Sequence, residues 1–106
     1  MHTREAGLRY AKQYLDAVMK TTVQIDKAIM FGSYAKNTAQ EYSDIDLALI
    51  SKDFTDNPIE NVKMLPVSMK FAKIEPHLFT WKDYQGGDPF LIEEILKTGI
   101  EIPLHD

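Results

Sequence analysis

The chain has 106 residues, with 12 Lys and Arg against 16 Asp and Glu, and its formal net charge of −4 gives no attractive field for DNA or RNA. Cysteine is absent, which excludes disulfides, thiolate zinc sites and a cysteine nucleophile, so any metal must be held by oxygen or imidazole ligands. The length fits a single domain over residues 1–106, and no apolar stretch approaches the roughly 20 residues needed to cross a bilayer, so we expect a cytoplasmic protein with no membrane partner.

The first half of the chain predicts one helix and two strands. Apolar residues from Thr3 to Lys20 recur with the spacing of one helical face. The β-prone segment Lys27–Phe31 is predicted as a strand that ends at Gly32, and a turn or single helical turn is expected over Tyr34–Glu41. The next segment, Asp44–Ile50, begins with alternation and becomes apolar on both faces, which is typical of a central strand. We expect its polar end to be the functional end.

The second half begins with a helix start signal, in which Asn57 is the cap and Pro58 the first residue. The helical pattern continues to about Phe71 but is interrupted by Pro66, which predicts a kink or two short helices. The remaining elements are predicted as a strand, a loop, a helix and a short strand, over Ile74–Thr80, Trp81–Gly87, 88–99 and Ile100–Leu104. This order predicts an α/β arrangement around one sheet.

Four residues at fixed spacing carry the candidate chemistry. Gly32 and Ser33 follow a predicted strand, and Asp44 and Asp46 open the next strand after ten intervening residues. Successive side chains of a strand point to opposite faces, so the two carboxylates are expected on one face, where they can bind Mg²⁺ and substrate phosphates. A glycine that ends a strand lets the backbone approach a phosphate, and the serine adds a hydroxyl. Lys36 could neutralise a phosphate oxygen, although a lysine that faces solvent is the simpler expectation.

The stretch Phe31–Lys36, continuing to Ser43–Leu47, resembles the minimal nucleotidyltransferase family of the DNA polymerase beta superfamily, whose signature is Gly-Ser, ten residues and Asp-x-Asp. Glu75 on the next strand, the helix start at Asp88-Pro89 and the helix end at Lys97–Ile100 follow the same order, so the resemblance covers nearly the whole chain. It implies a polymerase-beta-like fold of the α/β (α+β) class, with a small mixed sheet flanked by helices. It also implies ATP as the donor, two Mg²⁺ ions and transfer of AMP to an acceptor hydroxyl.

The resemblance assigns a role to each matching position. Gly32 and Ser33 would hold the triphosphate, and Asp44 and Asp46 would bind the metals. A third acid on the neighbouring strand, commonly an aspartate, would bind metal and activate the acceptor. The best-placed residue here is Glu75, which is one methylene longer. Asp44, Asp46 and Glu75 are therefore the expected catalytic and metal-binding residues.

The segment around Glu75 leaves alternatives open. Glu75 reaches the metal pair only if it shares the face and register of Asp44 and Asp46 on the neighbouring strand, and it could instead be a surface carboxylate beside Lys73. Pro76 cannot donate to a sheet ladder and favours an edge or a bulge. His77 shares the face of Glu75 if alternation continues, and a half-buried, hydrogen-bonded histidine is a simpler expectation than a catalytic one.

Three functions compete. The first is transfer of AMP from ATP to a hydroxyl, with a partner protein as the expected acceptor, because small members of the family are often paired with a helical HEPN partner as the antitoxin of a toxin–antitoxin system. The second is a binding module that neutralises a helical partner by occlusion through the Trp81–Phe90 loop and its aromatic residues. The third is an enzyme that modifies antibiotics without a partner protein. It is the least favoured of the three, because we expect no acceptor domain in a chain of this length. Assembly of several copies of the chain stays open.

Overall fold

The computed structural model describes residues 2–104, and it begins with a helix, α1, over Arg4–Val18. The side chain of Thr3 caps α1 by accepting a hydrogen bond from the backbone amide of Ala6 at 3.1 Å. The helix predicted over Thr3–Lys20 is confirmed, and it is shorter by one residue at its start and by two at its end. Its buried side chains and glycine follow the predicted helical spacing: Gly7, Ala11, Tyr14, Leu15 and Val18.

A four-stranded mixed sheet forms the centre of the molecule. Its strands are β1 (Lys27–Phe31), β2 (Ile45–Ser51), β3 (Ile74–Thr80) and β4 (Ile100–Glu101), in the spatial order β3-β2-β1-β4. β1 runs antiparallel to β2 and β4, whereas β2 and β3 are parallel. The segment predicted as a central strand is β2, which lies between two neighbours and is buried along nearly its whole length. The predicted fold class, an α+β domain with a small mixed sheet, is confirmed.

Helices cover both faces of the sheet. On one face, α1 packs against alternate side chains of β1 and β2, including Met30, Leu47 and Leu49. On the other face, Ile29 and Ile50 pack with Leu91 and Ile95 from the last helical segment. Because successive side chains of a strand alternate, this arrangement places every apolar residue of the two inner strands in one of the two cores.

The connection from β2 to β3 contains two short helices, as Pro66 predicts. Helix α2 spans Pro58–Lys63, and Asn57 caps it by accepting hydrogen bonds from two backbone amides. A 3-10 helix follows at Met69–Phe71. The proline separates them because its ring and missing amide hydrogen are incompatible with a helix interior.

The segment after β3 differs from its prediction. Trp81–Gly87 is not a loop throughout, because Trp81–Gln85 forms a short helix, α3. Thr80 and Asp83 make a capping box at its start, each side chain bonding the backbone amide of the other at 3.0 Å. The last helical stretch, α4, covers residues 89–98. Its hydrogen bonding is π-helical over Leu91–Leu96. The final strand, predicted to Leu104, ends at Glu101.

Pro76 lies on an edge strand, as its missing donor favours. β3 is the first strand in the sheet order, and the amide of Ile45 donates to the carbonyl oxygen of Lys73 at 2.8 Å. Backbone groups alternate in direction along a strand, so those of Lys73 and Glu75 point toward β2 and those of Pro76 point toward the free edge. The proline therefore removes no hydrogen bond from the sheet.

Within residues 2–104, no helix has both the length and the apolar character that a membrane-spanning segment requires.

Candidate active site

Two adjacent strands bring together a carboxylate pair and an imidazole. The parallel register places Asp46 of β2 opposite Glu75 of β3, and His77 lies two residues farther on the same face of β3. The Nε2 atom of His77 lies 3.1 Å from Oδ1 of Asp46 and 3.1 Å from Oε1 of Glu75. One ligand atom from each residue falls within 4.8 Å of the other two. The shared face and register that Glu75 needs are thus present.

The three side chains differ in exposure. Asp46 is the most enclosed, with 24% of its side chain accessible, whereas Glu75 is 54% accessible and His77 30%. The ring of Phe31 contacts the imidazole edge-on, with 4.9 Å between ring centroids. The site is therefore open on one side, with the shielded carboxylate of Asp46 at the back and the accessible carboxylate of Glu75 in front. We call the surface formed by Asp46, Glu75 and His77 the shelf.

Burial changes the proton affinity of the inner carboxylate. The pKa of Asp46 is raised above its ordinary value, first because burial penalises the charged form and then because the Glu75 carboxyl lies close to it. His77 opposes this effect by hydrogen bonding and by its charge. A bound cation would reverse the balance, because it stabilises both carboxylates in their ionised form.

The Gly-Ser turn lies directly against the carboxylate of Asp46. Gly32 has a φ of 76°, a left-handed conformation that favours glycine, and a Cβ atom at this position would collide with Oδ2 of Asp46. The turn closes through hydrogen bonds from the amide of Lys36 to Gly32 O at 3.0 Å and from the amide of Thr38 to Ser33 O at 2.9 Å. The backbone of the Gly32 turn, which could bind a phosphate, thus lies beside Oδ2 of Asp46, which could bind a cation.

Helix α1 holds this turn in place. The Nε of Arg4 donates to the carbonyl oxygen of Ala35 at 2.9 Å, and its backbone amide donates to the side-chain oxygen of Asn37 at 3.1 Å. Tyr34 is buried in the core beneath the turn, and its ring lies so close to Gly7 that a Cβ there would approach it to 2.7 Å. Ser33 is half-buried, and Lys36 is exposed to solvent.

Asp44 lies outside the group formed by Asp46, Glu75 and His77. It is exposed and precedes β2, which begins at Ile45. Side chains alternate between the two faces only within a strand. Because Asp44 precedes the first residue of β2, alternation does not determine the direction of its side chain relative to that of Asp46. The structure thus brings Asp46 and Glu75 together but does not bring Asp44 into contact with them in the described part of the chain.

The donor set suits a divalent cation. Carboxylate oxygens are the preferred protein ligands of Mg²⁺, and imidazole nitrogen extends the range to transition metals. Glu75 was predicted as the third acid, whereas His77 was expected mainly as a hydrogen-bonded histidine. It is half-buried and hydrogen-bonded, and it also adds a third donor beside the two carboxylates. Its position two residues after Glu75 on one strand face is the sequence signal for this arrangement.

A large cavity lies elsewhere. It measures about 640 Å³ and is lined by residues 21–26 before β1 and by 101–104 after the start of β4, at the opposite end of β1 from Gly32. A group of titratable side chains in mutual contact, such as Asp46, Glu75 and His77, is a better indication of an active site than the size of a cavity alone. The shelf is therefore the better candidate for the active site.

A family model matches most of the chain. Residues 13–106 match the family model described as "Polymerase beta, Nucleotidyltransferase". A curated relative from Methanocaldococcus jannaschii, named "Putative protein adenylyltransferase", is 51% identical over 37 residues, which are 35% of this chain and 25% of the relative. The chain thus spans about a quarter of the length of that relative.

A solved structure from Sulfolobus solfataricus, described as that of a "putative nucleotidyltransferase", has the same fold. The two structures superpose with a TM-score of 0.66 over 92% of this chain and 80% of the other, at 17% sequence identity. This level of identity supports the likeness of the folds alone.

Proposed function

The chain belongs to the polymerase beta nucleotidyltransferase family, and on that premise we propose that it transfers AMP from ATP to a hydroxyl group on a partner protein. The observation that carries the proposal is that Asp46, Glu75 and the Gly32 turn lie side by side in one site. Asp46 pairs in register with Glu75, and the Gly32 turn adjoins the Asp46 carboxylate. Nucleotidyl transfer requires backbone that binds phosphate to lie next to carboxylates that bind cations.

Each predicted site residue has a role in this proposal. Gly32 and Ser33 hold the triphosphate through backbone amides and the serine hydroxyl, with Lys36 as a neighbouring positive charge. Asp46 and Glu75 bind Mg²⁺, and Asp44 extends the carboxylate set at the entrance. Mg²⁺, when bound, neutralises charge on the phosphates and on the leaving group.

Glu75 also acts on the acceptor. In the proposed reaction the acceptor hydroxyl oxygen bonds to the α-phosphorus of ATP, pyrophosphate leaves, and the hydroxyl proton passes to the Glu75 carboxylate. Glu75 suits this role because it is the most accessible carboxylate of the shelf, at 54%, and an incoming side chain can reach it.

A protein acceptor is favoured by the openness of the shelf and by the name of the curated relative. A small acceptor needs an enclosing pocket, whereas a protein brings its own surface to an open site. The resemblance to minimal nucleotidyltransferases extends the proposal to a helical HEPN-type partner in the cytoplasm, with this chain as the antitoxin of the pair.

Isothermal titration of ATP with and without Mg²⁺ tests the nucleotide site. Asp46→Asn should weaken Mg²⁺-dependent binding by at least about tenfold, because it removes a charged ligand from the most enclosed position. Asp16→Asn, which changes an exposed aspartate on α1, is the matched control and should bind like the parent. Equal binding by the Asp46 variant and the parent would sink the proposal. Asp44→Asn, measured beside them, tests the role of the outer carboxylate.

Occlusion of a partner without catalysis is the second candidate, and exposed apolar side chains favour it. In the Trp81–Phe90 segment, Trp81 packs against the core and against Tyr84, whereas Phe90 is 49% exposed and can form part of such a surface. Four further exposed apolar side chains lie close in sequence over α2 and the segment after it: Ile59, Val62, Val67 and Met69. If Asp46→Asn still neutralises a purified HEPN-type partner fully, occlusion is the better description.

A further inference from the structure

We propose that His77 is a direct ligand of the metal ion, so that the site is an Asp-Glu-His centre that accepts manganese and other transition-metal dications better than an all-carboxylate site would. The inference rests on the proposed function for the presence of a cation between Asp46 and Glu75. It adds the identity of the third ligand and the class of metal.

The spacing of the donor atoms supports direct coordination. Two neighbouring ligands of an octahedral ion with bonds of about 2.1 Å lie about 3.0 Å apart. The Nε2 atom of His77 lies 3.1 Å from a carboxylate oxygen of Asp46 and 3.1 Å from one of Glu75. All three donors therefore fit around one ion with small adjustments of their side chains.

The surroundings of His77 hold the imidazole toward the carboxylates. Its backbone lies in β3, in register with Ala48, a small buried residue that leaves room for the ring. The Phe31 ring packs edge-on against the imidazole. A ligand whose backbone and ring are both restrained loses little side-chain freedom when a metal binds.

The chemistry of the donor decides the class of metal. Mg²⁺ favours oxygen donors, whereas imidazole is a common ligand of zinc and of other first-row transition metals. Exchange of one carboxylate for an imidazole also leaves the ligand set less negative by one charge. Both effects weaken the preference of the site for Mg²⁺ relative to Mn²⁺.

Pulsed electron paramagnetic resonance on protein-bound Mn²⁺ provides a direct test, because an imidazole ligand gives a nitrogen coupling that carboxylates and water do not. We expect this coupling in the parent protein in the presence of ATP and its loss in His77→Gln, together with at least about tenfold weaker Mn²⁺ binding. His2→Gln is the matched control, since His2 is an exposed histidine outside the site, and it should retain the coupling.

The outcomes separate this inference from the proposed function. Bound Mn²⁺ without nitrogen coupling in the parent would overturn the role of His77 and leave the carboxylate site intact, whereas absence of bound Mn²⁺ with ATP would overturn both. His77→Asp provides a second measurement. Titration with Mg²⁺ and Mn²⁺ should give this variant a ratio of affinities shifted toward Mg²⁺, and an unchanged ratio would contradict the inference. Circular dichroism checks that each variant is folded.

Discussion

At the scale of single residues, Gly32 is the position where the backbone and the site depend on each other most directly. Its positive φ is a conformation that residues with a Cβ adopt at a cost, and the position of that missing Cβ overlaps Oδ2 of Asp46. A side chain here would therefore both strain the turn and displace the inner carboxylate.

Gly32→Ala should reduce Mg²⁺-dependent ATP binding by at least about tenfold and lower stability by more than the roughly 1–2 kcal/mol expected from the left-handed backbone alone. Gly87→Ala is the matched control, because Gly87 has a φ of 73° but a Cβ there would have nothing within 4 Å. Urea unfolding and ATP titration of both variants separate backbone strain from collision. Equal losses of stability in the two variants would show that the contact with Asp46 has no energetic weight.

The residue scale also shows how far the sequence could predict the site. The pairing of Asp46 with Glu75 follows from strand alternation and register, both of which are readable once the strands are recognised. Asp44 could not be placed in the same way, because it precedes the strand and its direction depends on the turn. The convergence of His77 on both carboxylates depends on side-chain rotamers, which the sequence pattern does not specify.

At the scale of secondary structure, the least predictable element is α3. Its five residues are too few to show a helical period, so the nearby glycines favoured a loop. The capping box of Thr80 and Asp83 stabilises the helix instead, and Trp81 and Tyr84 pack against the core between the sheet and α4. Longer or more strongly patterned elements, such as α1 and β2, can be predicted because burial of one or both faces determines which positions of the sequence are apolar.

Thr80→Ala should destabilise the protein by about 1 kcal/mol, because it removes the side-chain acceptor for the amide of Asp83 and weakens the reciprocal bond. Urea unfolding followed by tryptophan fluorescence measures the change and reports on Trp81 itself. The exposed Thr22 supplies the control variant, Thr22→Ala, which should change stability little. A Thr80 variant as stable as the control would mean that packing of Trp81 maintains α3 without its cap.

At the scale of the whole molecule, the sheet and α1 enclose a titratable group that couples stability to alkaline pH. Tyr14 lies on α1 and is buried in the core between this helix and the sheet, with its ring edge-on to that of Phe71 and 5.3 Å between the ring centroids. Burial raises the pKa of Tyr14 from 10.0 to about 12. The unfolded chain therefore releases this proton at a lower pH than the folded chain does.

Because the folded pKa is the higher one, the stability that Tyr14 contributes is present below pH 10 and is lost as pH rises toward 12. A difference of this size corresponds to roughly 2–3 kcal/mol at its limit. Urea unfolding between pH 8 and about 11 should show a smaller loss of stability for Tyr14→Phe than for the parent. Tyr42→Phe, which alters a side chain that is 89% exposed, should follow the parent. Parallel curves for all three proteins would contradict the assignment.

The outward-facing proline of β3 has a consequence for how this molecule can meet others. A strand that docked beside β3 would find no donor at Pro76, and the other end of the sheet is the two-residue strand β4. Both margins thus offer poor templates for growth of the sheet into a neighbouring chain. We therefore expect the proposed partner to be recognised by side chains on the faces of the molecule, and the accessible carboxylate of Glu75 lies on one of these faces.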